Sequence, residues 1–266
     1  MKVILTEEQL KTIIKEELGI NKQVVECSSD IFIKIVDKLK TNDEDIKIEK
    51  NELFIKKTFP LTYYVKDMKL SISVTFRNFL DKTFNKFYEI PYVTDGNSII
   101  VNKNASFIFI NIYAISGTIV KEKAMETIQH EVEHIFQQIQ MGKEFGGENL
   151  YAKIKTDIMQ NNDVGLLMYY CLKNEQEAFS NGLYAFLMDK PEPYSEDLLK
   201  TSETYGIYAK MKEIFNNIKN GELTIKDYEK YGVTFKTIEK SINNFLHRIG
   251  KVIIKVKEDK IKQGFR

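Results

Sequence analysis

Residues 124–141 have the sequence AMETIQHEVEHIFQQIQM, which is the most informative stretch of the chain. Apolar residues recur here every three or four positions, a period that predicts one long helix over residues 119–141, ending before Gly142. Two of the chain's three histidines, His130 and His134, lie within it. Residues four apart project from the same face of a helix, so both imidazoles can reach a single ion.

The pentapeptide His130-Glu131-Val132-Glu133-His134 is an H-E-x-x-H motif, whose chemistry requires a helix. With so few histidines in the chain, random placement would produce it only roughly 0.003 times. Glu131 projects about 100° around the helix from His130, so it can accept a proton from a metal-activated water without binding the metal. The alternative is a surface helix with two solvent-facing histidines.

A catalytic zinc needs a third protein ligand and one open position. The candidates are His247 and the two carboxylates of Asn174-Glu175-Gln176-Glu177-Ala178. The helical neighbours of Glu175 are mostly apolar, and a carboxylate buried among them needs a cation to offset its desolvation. The neighbours of Glu177 are polar, which indicates a solvated surface. Glu175 is therefore the better third ligand, with Glu177 as its alternative.

The pentapeptide at residues 130–134, followed on a second helix by the segment at 174–178, resembles the gluzincin zinc metallopeptidases, the thermolysin-like clan. The resemblance covers roughly residues 98–188. The second segment is also similar, more weakly, to intracellular antirepressor peptidases. The glycine and third histidine that metzincins require downstream are absent, since Gln140 and Met141 follow instead, so that clan is excluded.

The resemblance implies a site made from residues of both motifs. The implied metal ligands are His130, His134 and Glu175, holding one Zn²⁺ per chain, and Glu131 is the implied general base. It also implies that the strand before the first helix binds peptide. An oxyanion stabiliser is usual in such enzymes, and His247 or one of the tyrosines is the candidate.

The region before the long helix has the two-residue period of β-strands. Leu70, Ile72, Val74 and Phe76 alternate with polar residues, which predicts a half-buried strand. Asp95-Gly96 predicts a hairpin turn, and a further strand is predicted at residues 106–113. We expect these strands to form an antiparallel meander. If residues 106–113 form a free edge, an extended substrate could pair with them; the alternative is an interior strand.

These patterns predict an α+β fold that is zincin-like, with an antiparallel or mixed sheet followed by the active-site helix and a helical C-terminal half. We expect an N-terminal helical segment at 1–44, a β-rich part at 45–117 and a helical part with the zinc site at 118–266, together forming one metallopeptidase domain. The further predicted helices cover residues 6–18, the segment after Ser29, and residues 150–159, 164–188, 196–219, 225–231 and 235–249.

Composition excludes several other classes of function. Lysine and arginine number 39 against 38 acidic residues, so the net charge of +1 gives no reason to expect nucleic acid as a partner. No apolar run reaches the roughly 20 residues that span a membrane. Two cysteines are too few for a disulfide framework. The N-terminus lacks the apolar region of a signal peptide, which predicts a cytoplasmic protein, with a phage-associated one as the alternative.

The predicted function is zinc-dependent hydrolysis of a peptide or protein substrate, with Glu131 activating the water. Two alternatives stay open at this point. The chain could be a non-catalytic scaffold of zincin fold or a phage virion-associated protein, or it could be a narrow regulatory peptidase that cleaves one repressor-type partner.

Overall fold

The computed structural model of the chain describes eleven segments: residues 20–41, 43–52, 54–65, 67–79, 94–102, 105–115, 118–119, 121–141, 163–191, 194–221 and 233–264. The chain divides into two compact units, one formed by Asn21–Phe145 and the other including Gly146–Arg266. The helices predicted at 6–18, 150–159 and 225–231 lie outside the described residues.

In its described residues, the first unit combines two helices with a mixed sheet. Its elements are α1 (Lys22–Lys40), β1 (Lys47–Lys50), β2 (Phe54–Val65), β3 (Met68–Phe79), β4 (Thr94–Asn102), β5 (Ala105–Ile115), β6 (Thr118–Ile119) and α2 (Lys121–Met141). The strand order among the described residues is β1-β2-β3-β5-β4, with β6 paired to β5. Only the β3–β5 pair in this sheet is parallel. The prediction of an α+β fold with a mixed sheet is therefore confirmed, whereas its zincin-like character stays a prediction.

The predicted meander is wrong, because β5 lies between β3 and β4. Strand β5 pairs along its whole length with β3 on one side, and with β4 on the other. The free-edge interpretation of residues 106–113 is consequently contradicted. The predicted hairpin at Asp95-Gly96 is also wrong, since both residues lie inside β4 opposite Asn111 and Ile110. Backbone pairing along β5 outweighs the local turn preference of an Asp-Gly pair.

The core of this unit lies between the sheet and its helices. The predicted alternation on β3 is confirmed, because its apolar residues at even positions from 68 to 76 are all buried. Ile108, Ile110 and Ile112 continue the same face on β5. Helix α2 contacts α1, β4 and β5, and contributes Ile128 and Val132 to this core. The sheet thus supports the buried side of the helix that carries the histidines.

The second unit is helical throughout its described residues. Its elements are α3 (Asp163–Tyr170), α4 (Lys173–Met188), α5 (Glu196–Lys200), α6 (Glu203–Lys219) and α7 (Phe235–Lys262). The predicted helix at 164–188 is two helices, interrupted at Cys171 and Leu172, and the one at 196–219 is divided where Ser202 caps α6. Helix α7 continues beyond the predicted end at 249, because Val252 and Val256 extend its buried face.

A polar contact joins α4 to α7 in this unit. Tyr184 Oη donates to Asp259 Oδ2 at 3.0 Å, and Lys255 Nζ donates to Asp259 Oδ1 at 3.0 Å. Burial raises the pKa of Asp259, but the hydrogen bonds from Lys255 and Tyr184 and the charges of Lys255 and Lys262 outweigh it, so the pKa lies below its ordinary value.

We expect this contact to make the second unit sensitive to acid. A carboxyl whose pKa is lowered by folding stabilises the fold above the unfolded pKa of about 3.9, and this stabilisation is lost as pH falls through the folded pKa. Denaturant titrations at several pH values between neutrality and pH 3 measure the loss. Asp259→Asn is expected to reduce the pH dependence, whereas Asp197→Asn, at an exposed side chain, should not. An unchanged pH profile in Asp259→Asn would contradict the role of this carboxylate.

Candidate metal centre

Helix α2 is buried around its whole circumference over residues 124–137. Ile128, Val132 and Ile135 pack into the core beneath the sheet. Its polar residues are equally covered: His130 is 7% exposed and His134 8% exposed. Burial of polar groups costs free energy unless they bind partners. A helix whose polar face is buried is therefore a candidate for a functional site. The alternative of two solvent-facing histidines is contradicted.

The two imidazoles converge through the same ring atom. Nε2 of His130 lies 3.1 Å from Nε2 of His134, and the ring planes are perpendicular. Two nitrogen ligands at 2.0–2.1 Å from a tetrahedral zinc are about 3.3 Å apart. The observed spacing is close to that value. The helix alone therefore brings two ligand atoms to the separation that one metal ion requires.

Gln137 fixes the orientation of one of these rings. Its Oε1 lies 3.2 Å from Nδ1 of His134, and this amide oxygen can only accept. A proton on Nδ1 leaves the lone pair of Nε2 available, and such a carbonyl partner is the usual support for a metal-binding histidine. Gln137 was not among the site residues predicted from the sequence. Its signal was a carbonyl-bearing side chain three residues after a histidine on the same helix face.

Both glutamates of the pentapeptide are buried, like the histidines that precede and follow them in the sequence. Glu131 is 5% exposed and Glu133 is 8% exposed. Glu131 is the residue for which the motif predicts the role of base. Because Glu133 has similar burial on the same helix, it offers an internal comparison for any test of Glu131.

Glu175 belongs to the second unit, in the first turn of α4. Its side chain is 1% exposed, and the neighbouring Ala178 and Phe179 are buried, as their apolar pattern predicted. Asn174 Nδ2 donates to Glu175 Oε1 at 3.3 Å. A helix N-terminus stabilises an anion by about 0.3–1 kcal/mol, which is less than the several kcal/mol that burial of a carboxylate costs. A buried carboxylate is an oxygen donor of the kind that zinc binds.

Glu177 lies on the same helix in different surroundings. Arg248 Nη2 donates to its Oε1 at 3.1 Å, and Lys173 Nζ lies 3.7 Å from the same oxygen. Its side chain is 24% exposed. The charge of Glu177 is thus balanced by two cationic side chains, and its side chain is more exposed than Glu175, as the neighbours of each residue predicted.

His247, the other candidate for the third ligand, also belongs to the second unit. His247 is on α7 and lines a cavity that is considered below. Burial raises the pKa of the Cys171 thiol to about 11, so it is a neutral side chain at physiological pH. The predicted contribution of His247 or a tyrosine to oxyanion stabilisation stays a prediction.

Comparison with known proteins identifies no significant match to this chain. No protein-family model matches the chain, and neither the curated proteins nor the solved structures include a significant match. The gluzincin resemblance therefore depends on the two motifs alone. Among the helices that the structure describes, none combines the length and apolar character needed to cross a membrane.

Proposed function

We propose that this chain is a zinc-dependent peptidase. One observation carries the proposal: two buried histidines of an H-E-x-x-H helix present their Nε2 atoms 3.1 Å apart, with a glutamate between them in sequence. Helix α2 supplies both candidate ligands and the candidate base from one rigid element. A site built on such an element keeps its geometry without help from a ligand.

We propose His130, His134 and Glu175 as the zinc ligands. All three side chains are buried, and imidazole nitrogens and carboxylate oxygens are donors that zinc binds. This set matches the His₂Glu type of catalytic zinc site, in which three protein ligands leave the fourth position for water or substrate. It also contains no thiolate, which favours a hydrolytic zinc over a structural one.

Glu131 and Gln137 have separate roles in the proposed reaction. When bound, zinc lowers the pKa of a water towards about 7 and polarises the scissile carbonyl. Glu131 accepts the proton of the attacking water and delivers it to the departing amine. Gln137 holds the ring of His134 in the tautomer whose Nε2 can bind a metal.

Strand β4 is the best candidate for contact with an extended substrate. It lies at the edge of the described sheet, paired with β5, and it packs against α2. A peptide added to such an edge is recognised through its backbone, whatever its sequence. Because β5 is an interior strand, we propose β4 as the substrate-binding strand in place of residues 106–113.

Metal content and hydrolysis test the proposal together. Protein expressed with zinc and dialysed is expected to hold one zinc per chain by plasma mass spectrometry, and to cleave a fluorescent peptide library. Treatment with 1,10-phenanthroline should abolish cleavage, and added zinc should restore it. Zinc without cleavage of any peptide would favour the scaffold alternative, and cleavage of one protein alone would favour the regulatory one. Absence of zinc would contradict the proposal.

A further inference from the structure

The second unit contains a cavity of about 680 Å³ that is separate from the residues proposed to bind zinc. The start of α4, the end of α3 and one side of α7 surround it. The described lining residues are Met168, Cys171, Leu172, Lys173, Gln176, Val233, Thr237, Ile238, Lys240, Ser241, Asn244, His247, Arg248 and Lys251. Its volume is within the range of pockets that bind small molecules.

The charge of this cavity has one sign. Four of the described lining residues are cationic: Lys173, Lys240, Arg248 and Lys251. The described lining contains no Asp or Glu. Glu177 is bound to the lining residue Arg248, because its carboxylate accepts a hydrogen bond from one of the five N–H groups of that guanidinium. Lys173 Nζ also lies 3.7 Å from this carboxylate, but the four cationic side chains of the described lining still outnumber it. A concave wall concentrates the positive potential that such an excess produces.

The cavity also has an apolar part and a braced wall. Met168 and Ile238 are buried, 4% and 1% exposed, and offer a surface for a ring or short chain. Elsewhere in the lining, Gln176 Nε2 donates to Ser241 Oγ at 2.9 Å, and Ser241 Oγ donates to Cys171 O at 3.1 Å. These bonds join α4 to α7, so the wall is formed before any ligand arrives. The neutral Cys171 thiol adds no negative charge to it.

We propose that this cavity binds an organic anion, a molecule with an apolar ring or chain and a phosphate or carboxylate group. The apolar portion packs against Met168 and Ile238. The anionic group lies against Arg248 and Lys240, because a guanidinium offers paired donors and an ammonium offers a mobile one. This binding site does not depend on zinc or on the proposed hydrolysis.

Calorimetric titration of the full chain tests the ligand class. The probes are 1-naphthyl phosphate, 1-naphthoate, 1-naphthol and inorganic phosphate. We expect one of the two aromatic anions to bind to one site, more weakly as sodium chloride rises, and 1-naphthol and inorganic phosphate to bind at least about tenfold more weakly. The stronger aromatic anion identifies the head group. Equal binding of 1-naphthol, or no binding of either aromatic anion, would overturn the proposal.

Substitutions on α7 locate the bound probe. Lys240→Gln and Arg248→Gln are each expected to weaken the preferred anion about tenfold, the effect of one charge-assisted hydrogen bond. Lys257→Gln removes a charge from an exposed position of the same helix and should leave affinity unchanged. Lys240 is itself exposed, so its substitution keeps the test interpretable if Arg248→Gln folds poorly. Equal losses in Lys257→Gln and Lys240→Gln would refute the site.

Discussion

Glu131→Gln is expected to retain the metal and to lose peptide hydrolysis by about 10²–10⁴-fold, the usual contribution of a positioned general base. The substitution preserves the size of a side chain that is 5% exposed, so packing of α2 should change little. It removes the negative charge and the ability to accept a proton from water. Steady-state cleavage of a fluorescent peptide and zinc content per chain, measured on the same preparation, separate catalysis from binding.

Glu133→Gln is the matched control for this prediction. The residue lies two positions away on the same helix, is 8% exposed, and undergoes the same isosteric change. Hydrolysis within a few-fold of the wild-type rate is expected, because Glu133 occupies one of the two variable positions of the motif. Full activity in Glu131→Gln would show that another group is the base. Equal losses in the two variants would indicate that any loss of charge on α2 disrupts the site.

The strongest sequence prediction was the helix that carries the histidines, and the reason is local. Helical period and the i, i+4 relation depend only on residues within a turn of each other, so the shared face of His130 and His134 followed from spacing alone. The same logic distinguished Glu175 from Glu177. Glu175 is 1% exposed, whereas the side chain of Glu177 is 24% exposed, and this difference agrees with the neighbours that a helical period assigns to each.

The errors in the sheet have a different origin. Whether β5 lies at an edge or in the interior depends on pairing with residues 36 positions away in β3, which no local pattern contains. Asp95-Gly96 is a strong turn signal in isolation, yet the partner strand β5 keeps it extended. The role of Gln137 could not be predicted from the sequence, because an amide three residues after a histidine is common. Only the distance of 3.2 Å between its Oε1 and Nδ1 of His134 indicates that role.

Glu175→Gln is expected to lower zinc affinity by more than about a hundred-fold, since even partners outside the ligand shell contribute 10–100-fold. The change removes the charge of a side chain that is 1% exposed but keeps its volume. Competition with a chromophoric zinc chelator measures the affinity directly. If the proposed ligand set is correct, His134→Ala should show a loss of similar size, because each variant leaves two of three protein ligands.

Glu177→Gln provides the comparison that makes this result specific. It is the same substitution two residues later on α4, at a carboxylate already paired with Arg248 and Lys173. Loss of a partly exposed ion pair costs about 0–1 kcal/mol of stability and no metal ligand, so zinc affinity should be unchanged. Loss of zinc in Glu177→Gln with retention in Glu175→Gln would exchange the two roles. Retention in both variants would leave the two imidazoles of α2 as the zinc-binding residues and exclude the proposed carboxylate ligand.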